Sequence, residues 1–115
     1  MTRYRVGDVV SIEFPFSDLQ GRKRRPGLVL AADDKDVLVA RVTSHAPRDT
    51  SDVALQHWAA SRLNQASTVR LTKLAAVDGR LVHHQIGHLQ PEDSEAVAQV
   101  WQQVAAAIST ELRKA

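Results

Sequence analysis

Four cationic side chains stand in a row directly before a proline and an apolar segment. The stretch GRKRRPGLVL carries them at residues 22–25, followed by Pro26. Proline disfavours helical geometry in the residue before it, so we expect Arg25 to be extended at the start of a strand. A guanidinium held there presents planar, permanently charged donors that suit a phosphate group. The cluster therefore indicates either a solvated basic loop or a site for an anion such as nucleic acid.

Two hydroxyls and a histidine follow the end of a second apolar segment. In VTSH, Thr43 closes the segment and Ser44 opens a polar loop, so we expect both hydroxyls at the rim of a sheet. Their alternative role is local, because Ser and Thr often end strands by bonding to the nearby backbone. His45 comes next, and histidine is the side chain that exchanges a proton near neutral pH. It is either a proton carrier or an exposed loop residue.

The stretch HHQIGH raises the question of a metal. His84 and His88 are four residues apart, but Gly87 lies between them and no carboxylate stands at a zinc-motif spacing. The chain also has no cysteine, no phosphate-binding glycine loop and no nucleophile elbow. We therefore predict neither a metal site nor a cofactor.

Short strands and one helix must position these residues. Strand patterns occupy five segments: 8–14, 27–32, 36–43, 53–56 and 67–78. The last segment fits either one long strand or two broken ones. Residues 79–89 fit no single period. The final segment repeats its apolar residues at helical steps of three and four: Val97, Val100, Trp101, Val104, Ile108 and Leu112. Pro91 fits the first turn of this helix, with acidic residues after it.

Several short strands followed by one amphipathic helix predict a mainly β fold of the α+β class. The expected form is a small SH3-like antiparallel barrel with the helix packed on it. The chain has 115 residues, 43% of them hydrophobic and 24% charged, with a net charge of +2. This is ordinary globular composition in too little chain for a second core, so we predict one domain over residues 1–115.

Targeting signals are missing from the sequence. The N-terminus has no apolar stretch of the signal-peptide kind, and no apolar run approaches membrane-spanning length. The lack of cysteine fits a reducing compartment. We therefore predict a cytoplasmic protein that is not embedded in a membrane.

Taken together, several segments resemble the MazF/PemK family of toxin endoribonucleases from bacterial type II toxin–antitoxin systems. The resemblance rests on GDVVSIEFPF, GRKRRPGLVL, VARVTSH and STVRLTKL, and it continues through HHQIGHLQPED into the helix. It implies an SH3-like barrel that acts as a homodimer and cuts single-stranded RNA without metal, leaving a cyclic phosphate and a free 5′-hydroxyl. It also implies a small antitoxin partner whose acidic, disordered tail blocks the site.

The resemblance also implies roles for single residues. Arg25 matches the arginine before the proline and Thr43 the threonine at the strand end, so these two would be catalytic. Arg25 would stabilise charge on the phosphate oxygens and Thr43 would hold one of them. The resemblance leaves the identity of the general base open. Many members carry a glutamate or a histidine in the loop before the arginine, whereas this chain has Asp18 there. The candidates are Asp18 and His45. The residues expected to contact RNA are Arg22, Lys23, Arg24, Ser44 and Arg70.

Two other functions fit the same fold. One is a non-catalytic toxin that inhibits a protein target such as DNA gyrase, and the other is a plain RNA-binding barrel that grips the backbone through its basic loop. Inhibited supercoiling with intact RNA would favour the first. Salt-sensitive RNA binding without product would favour the second.

Overall fold

The computed structural model describes residues 3–13 and 24–115 of the chain. Its regular elements are β1 (Asp8–Glu13), β2 (Arg24–Ala32), β3 (Asp36–Thr43), β4 (Asp52–Ala54), β5 (Thr68–Asp78), β6 (Val82–His88) and the helix α1 (Pro91–Lys114). A single 3₁₀ turn, Gly79–Leu81, connects β5 to β6. None of the helices in the described ranges has the length and apolar character that crossing a membrane would require.

The strands form one sheet in the order β4-β5-β3-β2-β1-β6. Every neighbouring pair is antiparallel. The predicted fold class is thus confirmed as a mainly antiparallel sheet followed by a C-terminal helix. Over the described residues, β4 and β6 form the two edges, so the sheet is open and does not close into a full barrel.

Apolar side chains cover both faces of this sheet. Because side chains alternate along a strand, neighbours such as Val9 and Val10 point to opposite sides. Val9 belongs to a cluster that packs against the helix, and Val10 belongs to a second cluster on the other face. On the second face, the apolar cluster ends next to Arg25, which pairs with Ile12 of that cluster near the start of β2.

The helix packs on the sheet with its N-terminal half. Val97 is buried, whereas Ile108 and Leu112 at the far end of the same stripe are 53% and 68% exposed. A helix of 24 residues is about 36 Å long at ~1.5 Å per residue. The last turns of the helix therefore extend beyond the strands against which its first turns pack.

A buried carboxylate ties the start of the helix to the segment after β4. Asp93 is 1% exposed and accepts hydrogen bonds from the backbone N–H groups of Gln56 and His57, at 2.8 and 2.9 Å. The His57 Nε2 lies 2.7 Å from the Glu92 carboxylate, and this hydrogen bond raises the pKa of His57 above 6.5. These contacts anchor the chain that continues into residues 62–65.

Candidate active site

A cleft of about 580 Å³ opens where β2 begins and β3 ends. The two ends meet because the strands are antiparallel neighbours, with Gly27 paired to Arg41. The described lining residues include Arg25, Thr43, Ser44 and His45. Four of the residues singled out from the sequence are therefore brought together in one concavity.

Strand register places the key side chains on the same face. Arg25 pairs with Ile12, whose side chain belongs to the apolar cluster on the face away from the helix. Arg41 follows Val39 of that cluster by two residues, and Thr43 follows Arg41 by two. Since residues two apart share a face, Arg25, Arg41 and Thr43 all project from the helix-free side.

The hydroxyl of Thr43 makes the local bond weighed from the sequence, and Thr43 also lies at the cleft. Thr43 is only 9% exposed, and its Oγ1 accepts a hydrogen bond from the His45 backbone N–H at 3.3 Å. This is the local bond that ends a strand. The same residue lines the cleft, and a hydroxyl that accepts one bond still has its O–H to donate. Thr43 is thus held in place by its own loop.

The other predicted RNA contacts fall in different places. Arg24 is exposed at the first position of β2. Arg70 is 7% exposed and pairs directly with Arg41 in register, yet it is not part of the described cleft lining. Its Nε has no hydrogen-bond partner among the described residues. Asp18, Arg22 and Lys23 lie outside the described residues.

The cleft contains functional groups that the sequence reasoning missed. Arg41 and Arg62 both line it, and together with Arg25 they make three guanidinium groups in the described lining, which includes no carboxylate. Arg41 had a readable signal, because it is the one charged residue inside an apolar strand and stands two positions before Thr43. Arg62 had none, since only the structure reveals its left-handed φ of 68°.

The histidines of HHQIGH separate in space. His84 lines the cleft, while the His83 Nε2 lies 3.5 Å from a Glu13 carboxylate oxygen. The His88 Nδ1 lies 2.8 Å from the buried Asp8 carboxylate. Within residues 3–13 and 24–115, no three His, Asp or Glu side chains are grouped so that they could hold a metal ion.

Comparison with known proteins gives one family and one fold. The family model of PemK-like, MazF-like toxins of type II toxin–antitoxin systems matches residues 5–105. No curated protein sequence matches the chain.

Three solved structures illustrate the likeness in fold. The Mycobacterium tuberculosis toxin MazF-mt6 has a TM-score of 0.69 at 22% identity, over 84% of this chain and 93% of that one. A mycobacterial endoribonuclease in complex with its cognate antitoxin has a TM-score of 0.72 at 13% identity, over 88% and 93%. A MazE–MazF structure from Deinococcus radiodurans has a TM-score of 0.68 at 20% identity, over 88% and 94%.

Proposed function

Because the chain belongs to the PemK-like, MazF-like toxins of type II toxin–antitoxin systems, we propose that it is an endoribonuclease toxin. It cuts single-stranded RNA in the cytoplasm without a metal ion and so stops translation and growth. The observation that carries this proposal is the placement of Arg25 and Thr43 on one face of one cleft, with two further arginines beside them.

The proposed reaction is an internal transfer of the phosphodiester. The ribose 2′-oxygen attacks the adjacent phosphorus, its proton passes to a base, and the bond to the 5′-oxygen breaks as that oxygen gains a proton. The products are a 2′,3′-cyclic phosphate and a free 5′-hydroxyl. Negative charge builds on the non-bridging oxygens during attack, and this is the charge that a fixed guanidinium stabilises.

Arg25 and Thr43 divide the work at the phosphate. Arg25 stands at the start of β2 with Pro26 behind it, so its backbone is held by a strand and not by a free loop. Its guanidinium neutralises the developing charge and hydrogen-bonds the leaving oxygen. Thr43 donates its O–H to a non-bridging oxygen while its Oγ1 remains fixed by the His45 backbone.

The general base is to be identified by substitution. His45 is exposed, lines the cleft and adjoins Thr43, so in this proposal it and Asp18 are the two candidates. Loss of a general base lowers the rate by about a hundredfold or more. A loss of that size in His45→Ala with a nearly normal rate in Asp18→Ala would assign the base to the histidine, and the reverse pattern would assign it to the carboxylate.

A small antitoxin completes the proposed system. The mycobacterial and Deinococcus structures described above include complexes of such toxins with an antitoxin. An acidic, disordered tail suits this cleft, because its described lining holds three arginines and no carboxylate. The toxin works as a homodimer, and the antitoxin tail lies across the basic groove and shields Arg25 from RNA.

The deciding experiment incubates the purified protein with a single-stranded RNA transcript in excess EDTA and maps the new ends. We expect cyclic-phosphate and 5′-hydroxyl termini. Arg25→Ala should lower the rate by about a hundredfold or more, the usual effect of losing one charge-stabilising donor. Arg113→Ala is the matched control, since it removes an exposed arginine at the far end of the helix and should leave the rate unchanged.

Three results would contradict the proposal. One is intact RNA, the second is cleavage that depends on a divalent ion, and the third is cleavage that Arg25→Ala leaves unaltered. Intact RNA with inhibited gyrase supercoiling would favour a toxin of this fold that acts on a protein. Salt-sensitive RNA binding without product would favour a plain RNA-binding domain.

A further inference from the structure

Arg41 interrupts an otherwise apolar strand. β3 reads DVLVARVT, and the neighbours of Arg41 along the strand, Ala40 and Val42, are buried in the cluster under the helix. Arg41 points to the other face and is only partly buried there. It lines the same cleft as Arg25 and Thr43. Arg41 therefore belongs to the cleft lining and to neither apolar cluster.

Strand register surrounds Arg41 with further positive charge. It pairs with Gly27 on β2 and with Arg70 on β5. Since Arg25 precedes Gly27 by two residues on the same face, it is the diagonal neighbour of Arg41, and diagonal neighbours lie about 7–8 Å apart. Arg25, Arg41 and Arg70 thus stand on one face of the sheet, at neighbouring register positions of three adjacent strands.

The described lining of the cleft suits a ligand of negative charge. It holds the guanidinium groups of Arg25, Arg41 and Arg62 and no carboxylate. A phosphodiester offers two non-bridging oxygens, and guanidinium groups bind such oxygens through strong, charge-assisted hydrogen bonds.

We propose that Arg41 binds a backbone phosphate of the RNA strand next to the phosphate that is cut. It acts as a binding and positioning residue and takes no part in bond breaking. This inference rests on the proposed nuclease function, because the neighbouring phosphate at Arg25 and Thr43 is the reacting one. It adds a second anchoring point, one strand further into the sheet, that sets where the RNA chain lies in the cleft.

The inference predicts a specific kinetic and ionic signature. Arg41→Gln should weaken RNA binding by about tenfold or more, since hydrogen bonds to a charged group are among the stronger ones, and should do so to a similar degree for RNAs of different sequence. The slope of log K against log salt should become shallower by about 0.7, the contribution of one contact to a single strand. KM should rise while kcat stays nearly unchanged, whereas Arg25→Ala lowers kcat. Arg41→Lys keeps the charge and should keep the slope.

The test measures binding separately from cleavage. Fluorescence anisotropy follows a labelled RNA oligonucleotide, 2′-O-methylated throughout so that it cannot be cut, at several salt concentrations. The proteins are the wild type, Arg41→Gln, Arg41→Met, Arg41→Lys and the distant control Arg113→Gln. Thermal unfolding checks that each variant is folded, and Arg41→Met replaces Arg41→Gln if the amide is not tolerated.

The outcomes separate this inference from the proposed function. A shallower slope in the uncharged variants and an unchanged slope in Arg113→Gln support the contact at Arg41, even if the wild type cuts no RNA and the nuclease proposal falls. An unchanged slope in the uncharged variants overturns the contact. A fall in kcat with unchanged KM in Arg41→Gln also overturns it, because that result belongs to a group acting on the reacting phosphate.

Discussion

Replacing Asp93 tests whether one carboxylate holds the helix against the segment that leads to the cleft. Its two oxygens accept separate hydrogen bonds, Oδ1 from the Gln56 N–H and Oδ2 from the His57 N–H. Hydrogen bonds to a charged group are worth about 1.5–3 kcal/mol each. Since water reaches Gln56 and His57, which are exposed, we take the lower end and expect Asp93→Ala to cost about 3 kcal/mol.

A matched series isolates the cause. Asp93→Asn offers one acceptor oxygen and places an NH₂ group against the second N–H, so it should recover at most half of the loss. Glu92→Ala removes an acidic residue from the same helical turn, where dipole and surface-pair effects are worth less than about 1 kcal/mol. Comparing the two alanine variants therefore subtracts the helix dipole.

The assay is urea unfolding followed by tryptophan fluorescence. Trp58 and Trp101 both pack against the core cluster under the helix, so their emission reports on this junction. A loss of about 3 kcal/mol corresponds to a fall in melting temperature of more than ~10 °C for a chain of this size. Equal stabilities for Asp93→Ala and Glu92→Ala, or a wild-type value for Asp93→Asn, would refute the reasoning.

Two further predictions concern the surroundings of the cleft. NMR titration should place the pKa of His57 above 6.5, and Glu92→Gln should bring this pKa back toward 6.5. The stabilisation from the His57–Glu92 pair is complete below pH 6.5 and is lost as the pH rises through the raised pKa. A pKa of His57 that Glu92→Gln leaves unchanged would contradict this prediction. In Gly87→Ala the added Cβ would overlap the Ser61 carbonyl, and the free energy of unfolding measured in urea should fall by at least ~2 kcal/mol. In the control Gly79→Ala the Cβ makes only an ordinary van der Waals contact, so the free energy of unfolding should fall by less.

The elements with a regular period were predictable from local chemistry alone. The helix begins at Pro91, where the proline and the acidic residues after it indicated a first turn. The segment 67–78 was left open between one strand and two, and the structure has one, Thr68–Asp78. Its pattern breaks because the pairing with β3 shifts between Ala40 and Arg41, which leaves three residues of β5 without a partner in that register.

The ambiguous segment 79–89 has an equally physical explanation. It contains a 3₁₀ turn and then β6, whose pairing with β1 shifts twice, between Val9 and Val10 and between Ser11 and Ile12. Each shift changes which side of the sheet the following residues face, so the two-residue alternation is lost. Sequence periodicity cannot reveal such a strand, because the irregularity is set by a partner some seventy residues earlier.

The site was predictable only in part for a similar reason. Arg25 and Thr43 had local signals, a following proline and the end of an apolar run. Arg41 had the signal of a charge inside an apolar strand, but its relation to Arg25 appears only when β2 and β3 are placed in register. Arg70 was proposed as an RNA contact through resemblance to the family. The structure places it directly beside Arg41 but outside the described cleft lining.

The arginines of the cleft have a consequence for how the proposed function would be regulated. RNA and an acidic antitoxin tail are both polyanions, and under the proposal both bind the guanidinium groups of the described cleft lining. A ligand that binds only the folded state also stabilises it, and the gain grows with the concentration of the ligand. If both ligands bind as proposed, they compete for the same groups, and an antitoxin needs no contact with RNA to silence the proposed nuclease.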